Sequence, residues 1–421
     1  MSDEPLTTTM THTGPARIAL YSHDTMGLGH MRRNLLLAQT LCASPLNAVV
    51  LMIAGAREAA AFAMPVGVDC LTLPALSKNG AGEYASRHMS IRLHRLIALR
   101  GGAIQASLEA FDPDVLVVDN VPRGAVRELD ATLRALRARG RTRVVLGLRD
   151  VLDEAAVVRD EWARAANEQA LRDYYDLVCV YGDRLVCNPP EEYGFCSKVA
   201  ELVRFAGYLD QRERAPSGES AAATIARLGL TPGRLVLGLV GGGQDGARLA
   251  DAFSRVTLPP DTNAILVTGP FMPQAVRRGI LTRLARHPRF RVLNFVNEPT
   301  ALLACADRVV AMGGYGTMSE ILSFEKHALI VPRVMPRREQ FIRAQRLAAM
   351  GLIHTIHPDD VTPARVSEWI ARDLGDPPKS RSLLDFEGLR RVPALLGELL
   401  AHHRLIPAPV TGAGRTCHAA V

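Results

Sequence analysis

Three glycine-bearing stretches of this 421-residue chain each lie between an apolar run and a helical pattern, and each carries side chains suited to proton or phosphate chemistry. The first is Gly27-Leu28-Gly29-His30, preceded by His23 and Asp24 and followed by Arg32 and Arg33. An imidazole titrates near neutrality, so His30 at the mouth of such a loop is suited to accept a hydroxyl proton. His23 and Asp24 share the loop and stay open as alternatives for the base. Glycines let backbone N–H groups approach ligand oxygens closely, although a tight strand-to-helix turn accounts for them equally well. Asp119 ends the apolar run Asp114–Val118, at the same sheet edge as the loop. There it can orient His30 and stabilise its charge, or serve as a plain loop aspartate.

The second stretch is Gly241-Gly242-Gly243-Gln244-Asp245-Gly246. Three successive glycines are costly to order, which favours a backbone cradle for phosphate over a severe turn. The third is Gly313-Gly314-Tyr315-Gly316-Thr317-Met318-Ser319-Glu320. Its glycines and Thr317 would place free N–H groups at a helix start, a natural site for a diphosphate. Glu320 can accept hydrogen bonds from two ribose hydroxyls, or pair with Thr317 as a capping box. Downstream, a strand ending at Pro332 leads into an arginine-rich loop carrying Glu339-Gln340.

Positioning these stretches requires a particular set of elements. Short apolar runs at Arg17–Ser22, Ala48–Ile53, Asp114–Val118, Arg143–Leu148 and Leu177–Val180 alternate with helical stretches. That is the pattern of a parallel sheet covered on both faces. After the charged, small-residue segment near Tyr208–Ser220 the rhythm restarts, at Arg234–Val240, Ala264–Thr268, Arg291–Phe295, Arg308–Met312 and Leu329–Pro332. Two α/β units in succession follow. An amphipathic helix is expected over about Ser382–Arg404, then a tail rich in Gly, Ala and Pro.

Composition narrows the function classes. Hydrophobic residues make 48% and charged residues 22%, the proportions of an ordinary folded protein. Aromatics at 5% argue against a surface of stacking rings. The seven cysteines are scattered, without a C-x-x-C pair, which predicts reduced thiols and no zinc site. The opening MSDEPLTTTMTHTGP is polar and predicts no signal peptide, and no apolar run reaches the length of a membrane span. A cytoplasmic enzyme is expected. Residues 1–210 hold 23 basic and 25 acidic side chains, and the rest hold 27 and 18, so the second half suits an anionic ligand. Basicity without a recognisable module or aromatic platform does not support nucleic-acid binding. The stretch Arg87–Phe111 mixes arginines with leucines and isoleucines and reads as a solvated helix face in preference to a membrane-surface helix.

From Gly313 to Gly351 the chain resembles the donor-binding domain of MurG-like glycosyltransferases. Gly314, Thr317, Glu320, Pro332, Gln340 and Gly351 stand in register with the family pattern. Gly241–Gly243 resembles the family's other phosphate-facing loop, and Gly29-His30 its N-terminal glycine-rich loop. The stretch Asp24–Arg33 is also similar to PseG, a nucleotide-sugar hydrolase with the same fold. Glu339 replaces the family's first Gln, Arg337 its preceding acid, and Glu325-Lys326-His327 its Gly-x-Pro, which leaves the sugar open.

The resemblance implies a GT-B fold, two Rossmann-like domains facing each other across a cleft. It divides the chain into a flexible tail (1–16), an acceptor domain (17–207), a linker (208–222), a donor domain (223–375), a helix crossing back to the first domain (376–404) and a flexible tail (405–421). The implied reaction is inverting transfer from a nucleoside-diphosphate sugar, most readily a UDP-sugar, to a hydroxyl acceptor. A nucleotide-sugar hydrolase of the PseG type and a non-catalytic sugar-nucleotide-binding protein are the alternatives. His30 and Asp119 would be catalytic. Gly241, Gly242, Gly243, Gly314, Gly316, Thr317 and Glu320 would bind the donor nucleotide, and Glu339 and Gln340 its sugar. No cofactor or metal is expected, because loop dipoles can carry the diphosphate charge and no metal-holding D-x-D is read. The acceptor is unnamed, with lipid-linked and polysaccharide acceptors both open, and peripheral contact with the inner face of the plasma membrane is an expectation.

Overall fold

A computed structural model describes residues 14–24, 29–56, 59, 62–78, 83–212, 223, 226–296 and 299–404. Residues 1–13 and 405–421 of the expected tails, 213–222 of the expected linker, and Thr25, Met26, Gly27 and Leu28 of the first motif lie outside the described residues.

The first domain is built on β1 (Arg17–Ser22), β2 (Val49–Ala54) and β3 (Val68–Thr72), with β4 (Leu76–Lys78) and β5 (Tyr84–Ser86) forming a separate antiparallel hairpin. It continues with β6 (Val115–Asp119), β7 (Arg143–Arg149), β8 (Leu177–Tyr181) and β9 (Val203–Phe205). The sheet is parallel throughout, in the order β3-β2-β1-β6-β7-β8-β9. The second domain holds β10 (Arg234–Leu239), β11 (Thr262–Val267), β12 (Phe290–Leu293), β13 (Arg308–Ala311), β14 (His327–Ile330) and β15 (His354–Thr355). Its order is β12-β11-β10-β13-β14-β15, again all parallel.

Both sheets are doubly wound, and each has one place where the winding reverses: between β1 and β6 in the first, between β10 and β13 in the second. Loops leaving the carboxyl ends of two such strands diverge to opposite faces and open a crevice, where α/β sheets hold ligands. All three glycine motifs and Asp119 leave strands at these two places.

Central strands are apolar on both faces because helices cover both; Ile18, Ala19, Leu20 and Tyr21 of β1 are fully buried. In β10 the two faces serve different cores. Leu235, Leu237 and Leu239 join a core continuous with the first domain, while Val236 joins a second core behind the sheet with Phe253, Leu266 and Trp369. The segment expected to open the linker is instead packed, with Tyr208 and Leu209 buried and Tyr208 donating to Asp150 at 2.7 Å. The final helix is Gly388–Arg404, and it lies against the Gly29–Ala43 helix of the first domain. Residues Ser380–Leu383 form a separate short helix, and Gly388 donates to the Tyr208 carbonyl at 3.1 Å.

The Arg87–Phe111 stretch is helical from Leu93 and turns Leu96, Ile104 and Leu108 inward. Arg100 is wholly buried there, bonded to Glu128 at 2.6 and 2.7 Å, while His94, Arg95 and Leu99 are exposed, so the helix packs one face and solvates the other. Among the described residues no helix is long and apolar enough to cross a membrane.

Candidate active site

The first crevice brings His30 and Asp119 together across 89 residues of chain, with His30 Nδ1 2.6 Å from Asp119 Oδ2. Asp119 is buried, which alone would raise its pKa, yet the charges of Arg33 and His30 and their hydrogen bonds hold it well below the usual carboxylate range. An ionised carboxylate only accepts, so Nδ1 carries the proton and donates, leaving the Nε2 lone pair free. His30 is partly exposed, 21% by side chain, so the ring remains reachable from the cleft.

The two alternative bases are occupied otherwise. Asp24 Oδ2 accepts from Ser22 Oγ (2.6 Å) and from the Gly55 N–H (3.1 Å), and Asp24 Oδ1 accepts from the Met31 N–H (3.0 Å). It thereby satisfies one of the orphan donors at the start of the Gly29–Ala43 helix. Its pKa is raised, chiefly by burial. His23 is buried, and burial first, then the neighbouring His30, lower its pKa to about 3, so its ring stays neutral. It lies 5.1 Å from the His30 ring, centroid to centroid.

A residue that the sequence left without a role completes the dyad. Arg33 donates from Nη2 to Asp119 Oδ1 at 2.5 Å. Its position three residues after His30 puts it on the same helix face, a spacing that was open to view.

In the second crevice Gly314 is the N-cap of the Tyr315–Ser323 helix and has no side chain to cap it. The leading N–H groups of the helix therefore lack intrahelical carbonyls, and they sit at a backbone where Gly316 is exposed and Gly314 and Thr317 are half-buried. This excludes the capping-box reading of Glu320. Thr317 is the third helical residue and Glu320 the sixth, so neither stands where a capping box needs it. Glu320 is 7% exposed.

The triple glycine makes a severe turn. Gly243 has φ +89°, and a Cβ there would stand 2.2 Å from the Thr268 carbonyl oxygen, which explains that glycine without a ligand. Gly241, at φ +60°, faces open space, and Gly242 accepts from the Phe271 N–H at 2.8 Å.

Arg333 ties this loop to the Glu339-Gln340 segment. It pairs with Asp245 at 3.0 Å and Glu339 at 2.6 Å, while its N–H donates to Gln340 Oε1 at 3.1 Å. Burial would raise the Glu339 pKa, but Arg333, then Arg149 and Arg343, outweigh it and keep the carboxyl ionised. Glu339 Oε2 is buried without a hydrogen-bond partner among the described residues. Gln340 thus braces the loop through its oxygen, whereas Glu339 retains an acceptor.

Arginines of the second domain clasp carboxylates of the first. Arg343 and Asp150 are wholly buried and meet at 2.7 Å, Arg346 meets Glu192 at 2.7 Å, and Arg337 meets Glu161 at 2.8 Å. Sequence offered no signal for Arg343, because its partner stands 193 residues away. Among the described residues no cluster of His, Cys, Asp or Glu could hold a metal ion. The D-x-D spelling Asp112-Pro113-Asp114 precedes β6, at the opposite edge of the sheet, and both its aspartates bind Arg17.

Two doubly wound parallel sheets, facing each other through their reversal points with loop motifs at each, define a GT-B fold. The curated relatives agree with the MurG-like resemblance. The chain is 28% identical over 202 residues (44% of this chain, 49% of the relative) to a UDP-N-acetylglucosamine--N-acetylmuramyl-(pentapeptide) pyrophosphoryl-undecaprenol N-acetylglucosamine transferase from Sorangium cellulosum (strain So ce56). It is 30% identical over 175 residues (39% and 46%) to the enzyme of that name from Rhodopseudomonas palustris (strain HaA2). The chain therefore spans about half the length of the curated relatives it matches. No protein-family model matches it. Among solved structures, MurG of Acinetobacter baumannii aligns with TM-score 0.54 at 15% identity, covering 91% of this chain and 100% of that one. A putative UDP-N-acetylglucosamine 2-epimerase from Listeria monocytogenes aligns with TM-score 0.62 at 13% identity, covering 93% and 98%. Structures this distant share the fold alone.

Proposed function

We propose that the protein transfers a sugar from a nucleoside-diphosphate sugar, a UDP-sugar first, to an acceptor hydroxyl, with inversion and without a metal ion. The observation that carries this reading is the His30–Asp119 pair at 2.6 Å at the reversal point of one sheet, facing the uncapped Tyr315 helix start at the reversal point of the other. Asp119 holds the Nδ1 proton, so His30 Nε2 takes the acceptor's proton as its oxygen attacks the anomeric carbon from the side opposite the leaving group. The anomeric carbon–oxygen bond breaks with its electron pair passing to the diphosphate. The N–H groups of residues 314–317 and the helix dipole stabilise that charge. Glu320 receives the ribose hydroxyls, and the free oxygen of Glu339 receives a hydroxyl of the sugar.

The relatives' name specifies UDP-N-acetylglucosamine and a pyrophosphoryl-undecaprenol acceptor. A lipid-linked acceptor would bring this protein to the cytoplasmic face of a membrane. With water in place of an acceptor the same dyad would serve a hydrolase.

A donor screen by calorimetry, followed by an acceptor screen, tests the reading. Transfer should require an acceptor, and His30→Ala should cut turnover by ~10²–10⁴-fold with UDP affinity within about twofold of the parent. Sugar release at turnover rates without acceptor would replace the transferase by the hydrolase, and absence of nucleotide-sugar binding would overturn both.

A further inference from the structure

Arg33 touches Asp119 through a single nitrogen. Nη2 donates to Asp119 Oδ1 at 2.5 Å and stands 3.1 Å from His30 Nδ1, and Nε has no partner among the described residues. One contact does not fix a planar guanidinium, so its orientation must come from elsewhere. Two rings supply it: the guanidinium carbon lies 5.8 Å from the Tyr181 ring centroid and 5.2 Å from that of Tyr315. Cations are held over aromatic faces at these distances. Tyr181 ends β8 of the first domain, but Tyr315 is the first residue of the second domain's helix.

Tyr315 is itself wedged between domains. Its ring centroid is 5.6 Å from the Arg343 guanidinium and 6.2 Å from the Tyr208 ring, both of which bond Asp150. Tyr315 is 6% exposed and its hydroxyl, buried without a hydrogen-bond partner among the described residues, contributes no bond there that would account for its placement. The ring is the part in contact.

We propose that Arg33 is a positioning residue of the His30–Asp119 pair and that the Tyr315 ring, from the opposite domain, holds Arg33 in place, so that the base is assembled only when the domains are closed. This rests on the reading of His30 as the base. With Oδ1 pinned by Arg33, Asp119 presents Oδ2 to Nδ1–H. Once the ring departs, the guanidinium is free to turn, and its Nη2, already 3.1 Å from His30 Nδ1, competes for the same space. The carboxylate then rotates and the imidazole loses its fixed tautomer. The residue that opens the diphosphate-binding helix thereby controls the proton acceptor on the other side of the cleft.

The test reads the tautomer directly, by two-bond proton–nitrogen correlation spectra of the histidine rings in the full chain at pH 8. No nucleotide is added, and His30→Gln assigns the signals. The parent should show His30 as one Nδ1–H tautomer. Arg33→Gln and Tyr315→Leu should each show both tautomers, whereas Tyr315→Phe, which keeps the ring, should match the parent. A single Nδ1–H tautomer in Arg33→Gln overturns the role of Arg33. The same result in Tyr315→Leu, or a mixture in Tyr315→Phe, overturns the role of the ring. Melting curves accompany each spectrum, and Arg33→Met, which keeps length between the rings but no donor, replaces Arg33→Gln should that variant not fold. Because neither donor nor acceptor is present, a chain that transfers no sugar still answers the question, and failure of the coupling is distinguishable from failure of the transferase reading.

Discussion

Asp119→Asn and Asp119→Ala should rank in the order opposite to their resemblance to aspartate. Arg33 offers only N–H donors, so in the Asn variant the amide oxygen must face Arg33 Nη2, where Oδ1 now lies at 2.5 Å. The amide NH2 is then directed at His30 Nδ1, across the present 2.6 Å contact. An NH2 group donates, so Nδ1 must accept and the ring proton moves to Nε2, the nitrogen needed by the acceptor. Imposing the wrong tautomer in this way costs about 10⁴ in kcat in acid–base triads, about 5.5 kcal/mol of barrier. Asp119→Ala leaves only Arg33 Nη2, 3.1 Å from Nδ1, to bias the ring, a weaker bias than an amide directed across the 2.6 Å contact. A larger fraction of His30 then keeps Nε2 unprotonated, and the loss should be roughly 10²–10³-fold. The assay is kcat from UDP release at saturating donor and acceptor, with UDP affinity measured alongside. An Ala variant as slow as the Asn variant, both binding UDP like the parent, would refute the argued roles of Arg33 and the tautomer.

Glu320→Gln should weaken UDP binding about ten- to a hundredfold, the worth of a charge-assisted hydrogen bond, and lose much of the parent's preference for ribo- over 2′-deoxyribo-UDP; an unchanged preference places the ribose elsewhere. Arg343→Met strands the wholly buried Asp150 carboxylate and should cost about 3–5 kcal/mol in denaturant unfolding, with less cost when Asp150→Leu is added; a double-variant cost equal to the sum of the two single-variant costs would show the pair to be uncoupled. His23 binds its proton in the unfolded chain below about pH 6.5 but in the fold only near pH 3, so the unfolded state takes up the extra proton and stability falls as pH falls through that window. His23→Leu should remove about 1.4 kcal/mol per pH unit of that slope, read as parent-minus-variant unfolding free energy from pH 6.5 downward; parallel curves would contradict a buried neutral ring.

The central strands were legible because burial on both faces demands unbroken apolar runs. Three of the four edge strands of the two large sheets were not. β3 carries Asp69 and Thr72 outward, β9 is three residues and β15 two, so none presents a run to read. The positions of the motif glycines and His30 could be read because the end of a parallel strand is a fixed place in the fold. What escaped was the pairing across the cleft. Arg33 stood out only as a cation following the first loop, and Tyr315, Arg149 and Arg343 were assigned no role. Their roles arise from contacts between residues far apart in sequence, and residue type alone does not encode them. Glu320 shows the converse, since a local motif suggested a cap and the actual helix start at Tyr315 removed it.

The two faces of the second sheet bear on how the molecule can be recombined. Leu235, Leu237, Leu239, Ile265, Val309 and Ile330 belong to the core that runs into the first domain, while Val236, Leu266, Val310 and Leu329 belong to a core closed off behind it. The second domain is therefore not a cartridge that can be exchanged whole. A chimaera cut at the chain midpoint would bring foreign side chains to a hydrophobic layer shaped by this first domain. It would also leave Asp150 without Arg343 and Arg33 without the Tyr315 ring. Exchange should succeed when the graft keeps the inner face of the sheet, Tyr315 and the Arg337–Arg346 clasp, and replaces only the rear layer with its helices. In this protein the seam for engineering runs through the plane of the second sheet, parallel to the cleft, and not through the stretch of chain that joins the two halves.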